Sequence, residues 1–202
     1  MSLANRAFQE FATRSARLLR VLPAQRQLAC EAGCNHCCKQ QISVTALEVL
    51  ELAKFLRNER SPEALALLIE RTRETADAVR GRTAAQQRGT LCPLNQDGLC
   101  TAYEARPMLC RGATSFDREA CKSGAPVPTY AEVWDAAQTL QERLDHAAVQ
   151  ICGRKEILEL HNALLIALEL PDAESRWRRG EPVFKRAAHA WFEGDQLRTW
   201  KR

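Results

Sequence analysis

Four cysteines fall within nine residues, Cys30-Glu31-Ala32-Gly33-Cys34-Asn35-His36-Cys37-Cys38. Thiols this dense exceed anything that packing alone requires, and they restrict the chain to folds that converge sulfur on a small volume. A second run, with Cys92, Cys100, Cys110 and Cys121, lies far enough along the chain to fold back onto the first. The pattern predicts a metal ion or an iron–sulfur cluster as the bound partner.

Nine cysteines could also build a secreted disulfide framework. The N-terminus argues against it: Met1 to Leu22 carries Arg6, Arg14, Arg17 and Arg20 along its length and has no continuous apolar stretch, so it does not read as a signal peptide. The odd cysteine count and the adjacent pair Cys37-Cys38 also suit disulfides poorly, and in a reducing compartment such clusters bind metal. A cytoplasmic location is the expectation. No run of about 18 apolar residues is present, so no membrane span is predicted. The formal charge of +4 is mild, and the basic residues are spread rather than gathered on one stretch. This weighs against a nucleic-acid partner. A protein partner is left open.

At 202 residues the chain is expected to form a single domain over 1–202. With few Gly and Pro, and much Ala, Leu, Glu, Arg and Gln, the composition leans to helix. The periodicity predicts helices over Leu3 to Leu22 and from Thr45 to about Arg57, the second opened by the capping box Thr45-Ala46-Leu47-Glu48. Ser61-Pro62 starts a third helix with Leu65, Leu68, Ile69, Thr72, Ala76 and Val79 as its buried stripe. Residues 81–90 read as a loop and 124–128 as a stiff connector. Thr129 is expected to cap a long helix through Ile151, followed by another over Arg154 to Glu169 and a C-terminal cap with a helix near Ala187 to Trp191. Strand signals are nearly absent. The expected fold is mostly α: a compact helical domain with long loops wrapped around a cysteine-ligated metal site.

The first cysteine run admits two geometries. Positions 30, 34, 37 and 38 share a face if helical, whereas Gly33 favours a turn. In the second run Asp97-Gly98 is a strong turn signal, placing Cys92 and Cys100 on two arms of a tight loop. Soft thiolates select zinc, copper(I) or iron–sulfur. Zinc takes four ligands, and a four-iron cluster takes four cysteines. Adjacent cysteines chelate a single ion poorly, so Cys37 and Cys38 either serve two metals or divide into one ligand and one pocket-facing thiol. His36 is a further candidate ligand, although its neighbours already fill the converging directions. Cys152, beside Ile151 at a helix end, reads as a small buried hydrophobe.

Cys30-x3-Cys34-x2-Cys37-Cys38, Cys92-Pro93-Leu94, Gly98-x-Cys100, Tyr103-Glu104-x-Arg106-Pro107 and Cys110-Arg111 together resemble the YkgJ-type cysteine-cluster family, a zinc- or iron-chelating domain with a related cluster in flagellin lysine N-methylases. The resemblance covers about residues 28–123, leaving 129–202 as a helical C-terminal part. One departure is visible: the first gap is three residues where the family's pattern has two. By position the resemblance implies Cys34, Cys37, Cys38, Cys92, Cys100 and Cys110 as metal ligands, with Cys30 and Cys121 as additions. It gives Arg106 and Arg111 a part in the site, offsetting thiolate charge and hydrogen-bonding sulfur, or binding an anionic substrate. The expected cofactor is iron or an iron–sulfur cluster, with zinc as the alternative, in a site supporting redox or group-transfer chemistry or serving as a non-catalytic structural or carrier module. No Gly-rich nucleotide-binding turn accompanies it.

Overall fold

The computed structural model describes residues 1–23, 26–123 and 129–187. The connector at 124–128, the helix expected near Ala187 to Trp191, and Trp191 and Trp200 lie outside these residues, Ala187 excepted.

The chain is mostly helical, as its composition and periodicity predict. Helix α1 (Leu3–Arg20) is opened by Ser2, whose hydroxyl accepts the Asn5 N–H. It buries Ala4, Ala7, Phe8 and Phe11 and leaves its arginines outside. Helix α2 (Ala46–Asn58) begins with the capping box: Thr45 accepts the Glu48 N–H, and the Glu48 carboxylate accepts the Thr45 N–H at 2.8 Å. Helix α3 (Pro62–Val79) has Ser61 as its cap and Pro62 in its first turn. Helix α7 (Ala131–Cys152) is the long helix anticipated after the second cysteine run. Its cap is Tyr130, not Thr129, and it has no side-chain cap; the Tyr130 hydroxyl instead donates to the Leu18 carbonyl and ties α7 to α1.

Two stretches depart from the periodicity. The polar loop at 81–90 contains a one-turn helix, α4 (Ala84–Gln87), because Thr83 and Gln86 form a second capping box. The helix expected over Arg154 to Glu169 starts late: Leu158–Glu159 forms strand β4, and helix α8 covers only Leu160–Glu169. Strand β1 (Ser43–Val44), just after the first cysteine run, captures β4 in antiparallel register, Ser43 opposite Glu159 and Val44 opposite Leu158. The Glu159 carboxylate then caps α8, accepting the N–H groups of His161 and Asn162. Two-residue strands carry no periodic signal, which is why the sequence reads as unbroken helix there.

Helix α8 is buried along most of its length and packs against α2 and α3, while α7 packs against α1, α2 and the short α5 (Met108–Gly112). Leu52, Leu56, Leu68, Leu140, Leu164 and Trp177, the last from α9 (Ala173–Arg178), fill the core with almost no exposure. These residues form one continuous apolar cluster. Burying such side chains stabilises by about 1.5–3 kcal/mol each before entropy is counted. The cysteine-rich loops lie over this helical core and are anchored in it by Leu94, Ala102, Ala105 and Met108.

Candidate metal centre

The first cysteine run is a turn, not a helix. Gly33 takes a left-handed φ of 86°, the Cys34 N–H returns to the Glu31 carbonyl, and only Cys37–Lys39 closes into a 3-10 turn. The second run forms a hairpin, β2 (Asn95–Gln96) against β3 (Leu99–Cys100), around Asp97-Gly98. Both turn residues have positive φ, 51° and 84°, which matches the twist of a two-residue hairpin. The hairpin tip rests directly on Gly33, so the two glycines are in contact across the two runs.

Backbone bonds fasten the runs together. Cys92 donates to the Cys38 carbonyl at 2.8 Å and Gly89 to the Lys39 carbonyl at 3.0 Å. Upstream, Ala29 donates to the Ser115 carbonyl at 2.8 Å, and the Ser115 N–H points at the Cys30 sulfur at 3.3 Å. Arg118 pairs with Glu31 over the same junction.

Cys37, Cys38, Cys92, Cys100 and Cys110 line one cavity of about 60 Å³, closed on its apolar sides by Ile42, Leu94, Pro107 and Leu160. One ordered water needs only about 10–15 Å³, so there is room for an ion. Cys110 reaches the cavity from α5, whose start is fixed by Glu48: the buried carboxylate that closes the α2 capping box also accepts the Met108 N–H at 2.7 Å. Burial pushes the Cys100 and Cys110 thiols up. The adjacent pair divides its roles: the Cys37 thiol is pushed up chiefly by its hydrogen bond to Cys38, and the Cys38 thiol is held down by receiving it. The Asn95 amide adds a second donor to the Cys38 sulfur at 3.7 Å.

The remaining three thiols stand to one side. Cys30 is exposed, Cys34 and Cys121 half-buried, the last on α6 (Arg118–Ser123). Partial burial raises the Cys30 thiol, and the proximity of Cys34, Cys37 and Cys121 raises it further, against the Ser115 N–H. Cys37 therefore stands between an inner set of five and an outer set of three. Among the described residues no group of three or more Cys, His, Asp or Glu is arranged to hold a metal ion as it stands. Each thiol raised in this way must lose its proton to ligate a metal. The donor chemistry itself, soft sulfur in an apolar cavity, suits zinc or iron.

The two arginines are placed differently. Arg106 is extended, as the residue before Pro107 must be. It lines the cavity with its guanidinium 3.8 Å over the Tyr103 ring, and its charge opposes the raised pKa values of Cys37, Cys100 and Cys110. Arg111 stands behind it: Nε donates to the Arg106 carbonyl at 2.7 Å, another nitrogen donates to the Glu104 carbonyl, and the guanidinium lies 4.3 Å over the Phe8 ring of α1. Burial, with Arg106 next to it, brings Arg111 down to about 10, still charged at neutral pH. His36 begins the 3-10 turn and does not line the cavity, and Cys152 is buried in the helical core at the end of α7.

One cavity residue with metal-ligand chemistry is absent from any motif. His161, on the first turn of α8, is 3% exposed and lines the cavity together with Cys92. The signal available in the sequence is the polar group Glu159-His161-Asn162 opening an otherwise apolar helix.

Residues 29–127 match the profile of the CxxCxxCC family, described as a "putative zinc- or iron-chelating domain". The chain carries a CxxCxxCC-family domain. The matched stretch takes in eight of the nine cysteines, Cys30 to Cys121, and excludes Cys152. It also stops well short of His161. No curated protein and no solved structure shows a significant match to the chain. No helix among the described residues is long and apolar enough to cross a membrane.

Proposed function

We propose that the protein is a cytoplasmic metal-binding protein whose inner cavity holds iron or an iron–sulfur cluster through ligands drawn from Cys37, Cys38, Cys92, Cys100 and Cys110, with Cys30, Cys34 and Cys121 as the adjoining outer set. The observation that carries this reading is the convergence of five thiols, from both cysteine runs and from α5, on one cavity. Arg106 neutralises thiolate charge from the cavity wall, and Arg111 holds the backbone that aims it.

A functional site is favoured over a purely structural one by two features. The helical core packs as a continuous cluster that owes nothing to the thiols of the inner set except marginal contacts from Cys92 and Cys100. An open groove of about 410 Å³ also runs from Cys37 past Gln40, Gln41, Trp134 and Gln138 to Glu156, and would give a reaction partner access to the metal site. Iron held there would supply one-electron chemistry, and the chain's residues would set its potential through burial and hydrogen bonds to sulfur.

Metal and acid-labile sulfide content, with a visible spectrum, on protein purified without oxygen tests the proposal. Bound iron is expected, with sulfide in equal amount and a brown colour where it is held as a cluster. A colourless protein with one or two zinc ions would replace this reading with a zinc structural or carrier module.

A further inference from the structure

We propose that His161 is a nitrogen ligand of the metal held in the thiol cavity and that Glu159 positions its ring. This rests on the reading of that cavity as the metal site.

Three independent observations place His161 there. The first is topological: the chain leaving the first cysteine run pairs with the chain entering α8, Ser43 with Glu159, and the Leu160 N–H donates to the Ile42 carbonyl at 3.1 Å. The same short ladder that follows Cys38 therefore delivers the α8 N-terminus to the cavity. The second is the cavity itself, which His161 and Cys92 line together. The third is the carboxylate behind it. Glu159 Oε1 lies 2.9 Å from His161 Nδ1, within ion-pair distance but outside hydrogen-bond geometry. Glu159 is itself immobilised, 2% exposed, with the His161 N–H, the Asn162 N–H and the Asn162 side-chain amide all donating to it at 2.7–3.0 Å.

Carboxylate, imidazole and cavity in this order make up the arrangement in which a metal-ligating histidine is oriented from outside the coordination shell. With Nδ1 turned to the carboxylate, Nε2 is the nitrogen left for the cavity. Ligation at Nε2 uses the neutral ring: the Nε2 proton leaves to solvent, and Nδ1 keeps its proton 2.9 Å from Glu159 Oε1. The plainer alternative is a buried imidazolium–carboxylate pair that merely fastens α8. Such a pair is a poor fastener, since desolvating both ions offsets most of its attraction. Nor does it account for a histidine that lines a five-cysteine cavity. The metal site then draws on both halves of the chain, and the C-terminal helices complete the domain that residues 29–127 begin.

Cobalt(II) titration of the full chain, with X-ray absorption on the cobalt-loaded protein, tests this. The wild type is expected to show thiolate-to-cobalt absorption and the outer-shell scattering of an imidazole ring. Both should persist in the variant in which His161 is the sole histidine, combining His36→Ala, His146→Ala and His189→Ala. His161→Gln should keep thiolate absorption but lose the imidazole scattering and weaken cobalt binding at least tenfold. Glu159→Gln should keep the nitrogen and weaken binding about 10–100-fold. Unchanged affinity and spectrum in His161→Gln, or no imidazole scattering in the wild type alongside intact thiolate absorption, would overturn the ligand assignment and leave the thiol site standing. Absence of thiolate absorption in the wild type would overturn both. If His161→Gln does not fold, the wild type and the sole-histidine variant decide the matter.

Discussion

The Cys92 backbone N–H donates to the Cys38 carbonyl at 2.8 Å, and this one bond joins the two cysteine runs where their thiols meet. A backbone bond fixes register as well as proximity. It sets Cys92 beside Cys38, and the hairpin beyond carries Cys100 to the same cavity. Main-chain geometry therefore gathers the thiols.

Metal retention should accordingly depend on the gathered thiols and not on cysteine number. Cys100→Ser is expected to lose most of the bound metal, read by elemental analysis of protein purified without oxygen. Cys152→Ser should retain the full amount, since its thiol sits in the helical core near the Arg154 carbonyl. Equal metal content in both variants would mean the cavity is not the site.

The hairpin tip offers a backbone test of the same convergence. A Cβ on Gly98 would stand 2.8 Å from the Gly33 carbonyl oxygen, and the residue's φ of 84° is itself unfavourable for any side chain. Gly98→Ala should cost about 2 kcal/mol or more in urea unfolding. It should also weaken metal binding, because relief of the clash moves the hairpin off the first cysteine run. An unchanged metal affinity would show that the contact between the two glycines does not set the spacing of the sulfurs.

Much of the helical framework was legible in the sequence because its signals are local. Thr45 with Glu48, and Ser61 with Pro62, announce their helices through chemistry contained in one turn. The Asp97-Gly98 turn is of the same kind. What escaped depends on distant partners. Strand β4 exists only because β1 pairs with it, and two residues are too few to show a period. The motifs nominated the thiols, but not their division into inner and outer sets, which follows from Gly33 turning the chain instead of continuing a helix. For His161 the local signal is faint, the polar group Glu159-His161-Asn162 at the head of an apolar helix; what marks it is the cavity it shares with Cys92, from another part of the chain.

Glu48 should prove a structural residue of the site without touching it. Its carboxylate receives the Thr45 N–H, the Met108 N–H and the Gln141 amide, and so ties α2, α5 and α7 at the base of Cys110. Glu48→Ala leaves these donors buried without an acceptor, and about 3–5 kcal/mol of stability should be lost. Glu48→Gln keeps one acceptor but points its amide nitrogen at other donors, so a loss of about 1–3 kcal/mol is expected. Urea midpoints at constant slope would read both values; a Gln variant as stable as the wild type would show that one acceptor oxygen suffices for all three helices.

Metal uptake should strengthen with rising pH. Burial holds the Cys100 and Cys110 thiols above their ordinary range, and the hydrogen bond to Cys38 does the same for Cys37, while Cys38 is lowered. Groups with raised pKa values are neutral thiols throughout the range from pH 6 to 8, so a metal must displace a proton from each one it binds. Each displaced proton makes the apparent affinity about tenfold tighter per unit rise in pH. With at least two of the raised thiols ligating, cobalt(II) or zinc affinity should tighten by about a hundredfold or more between pH 6 and 7. Titrations at several pH values, with proton release followed in weak buffer, measure the slope directly. A slope near zero would mean that the ligands are already thiolates in the metal-free protein, and that Arg106 or His161 offsets their charge far more strongly than burial raises them.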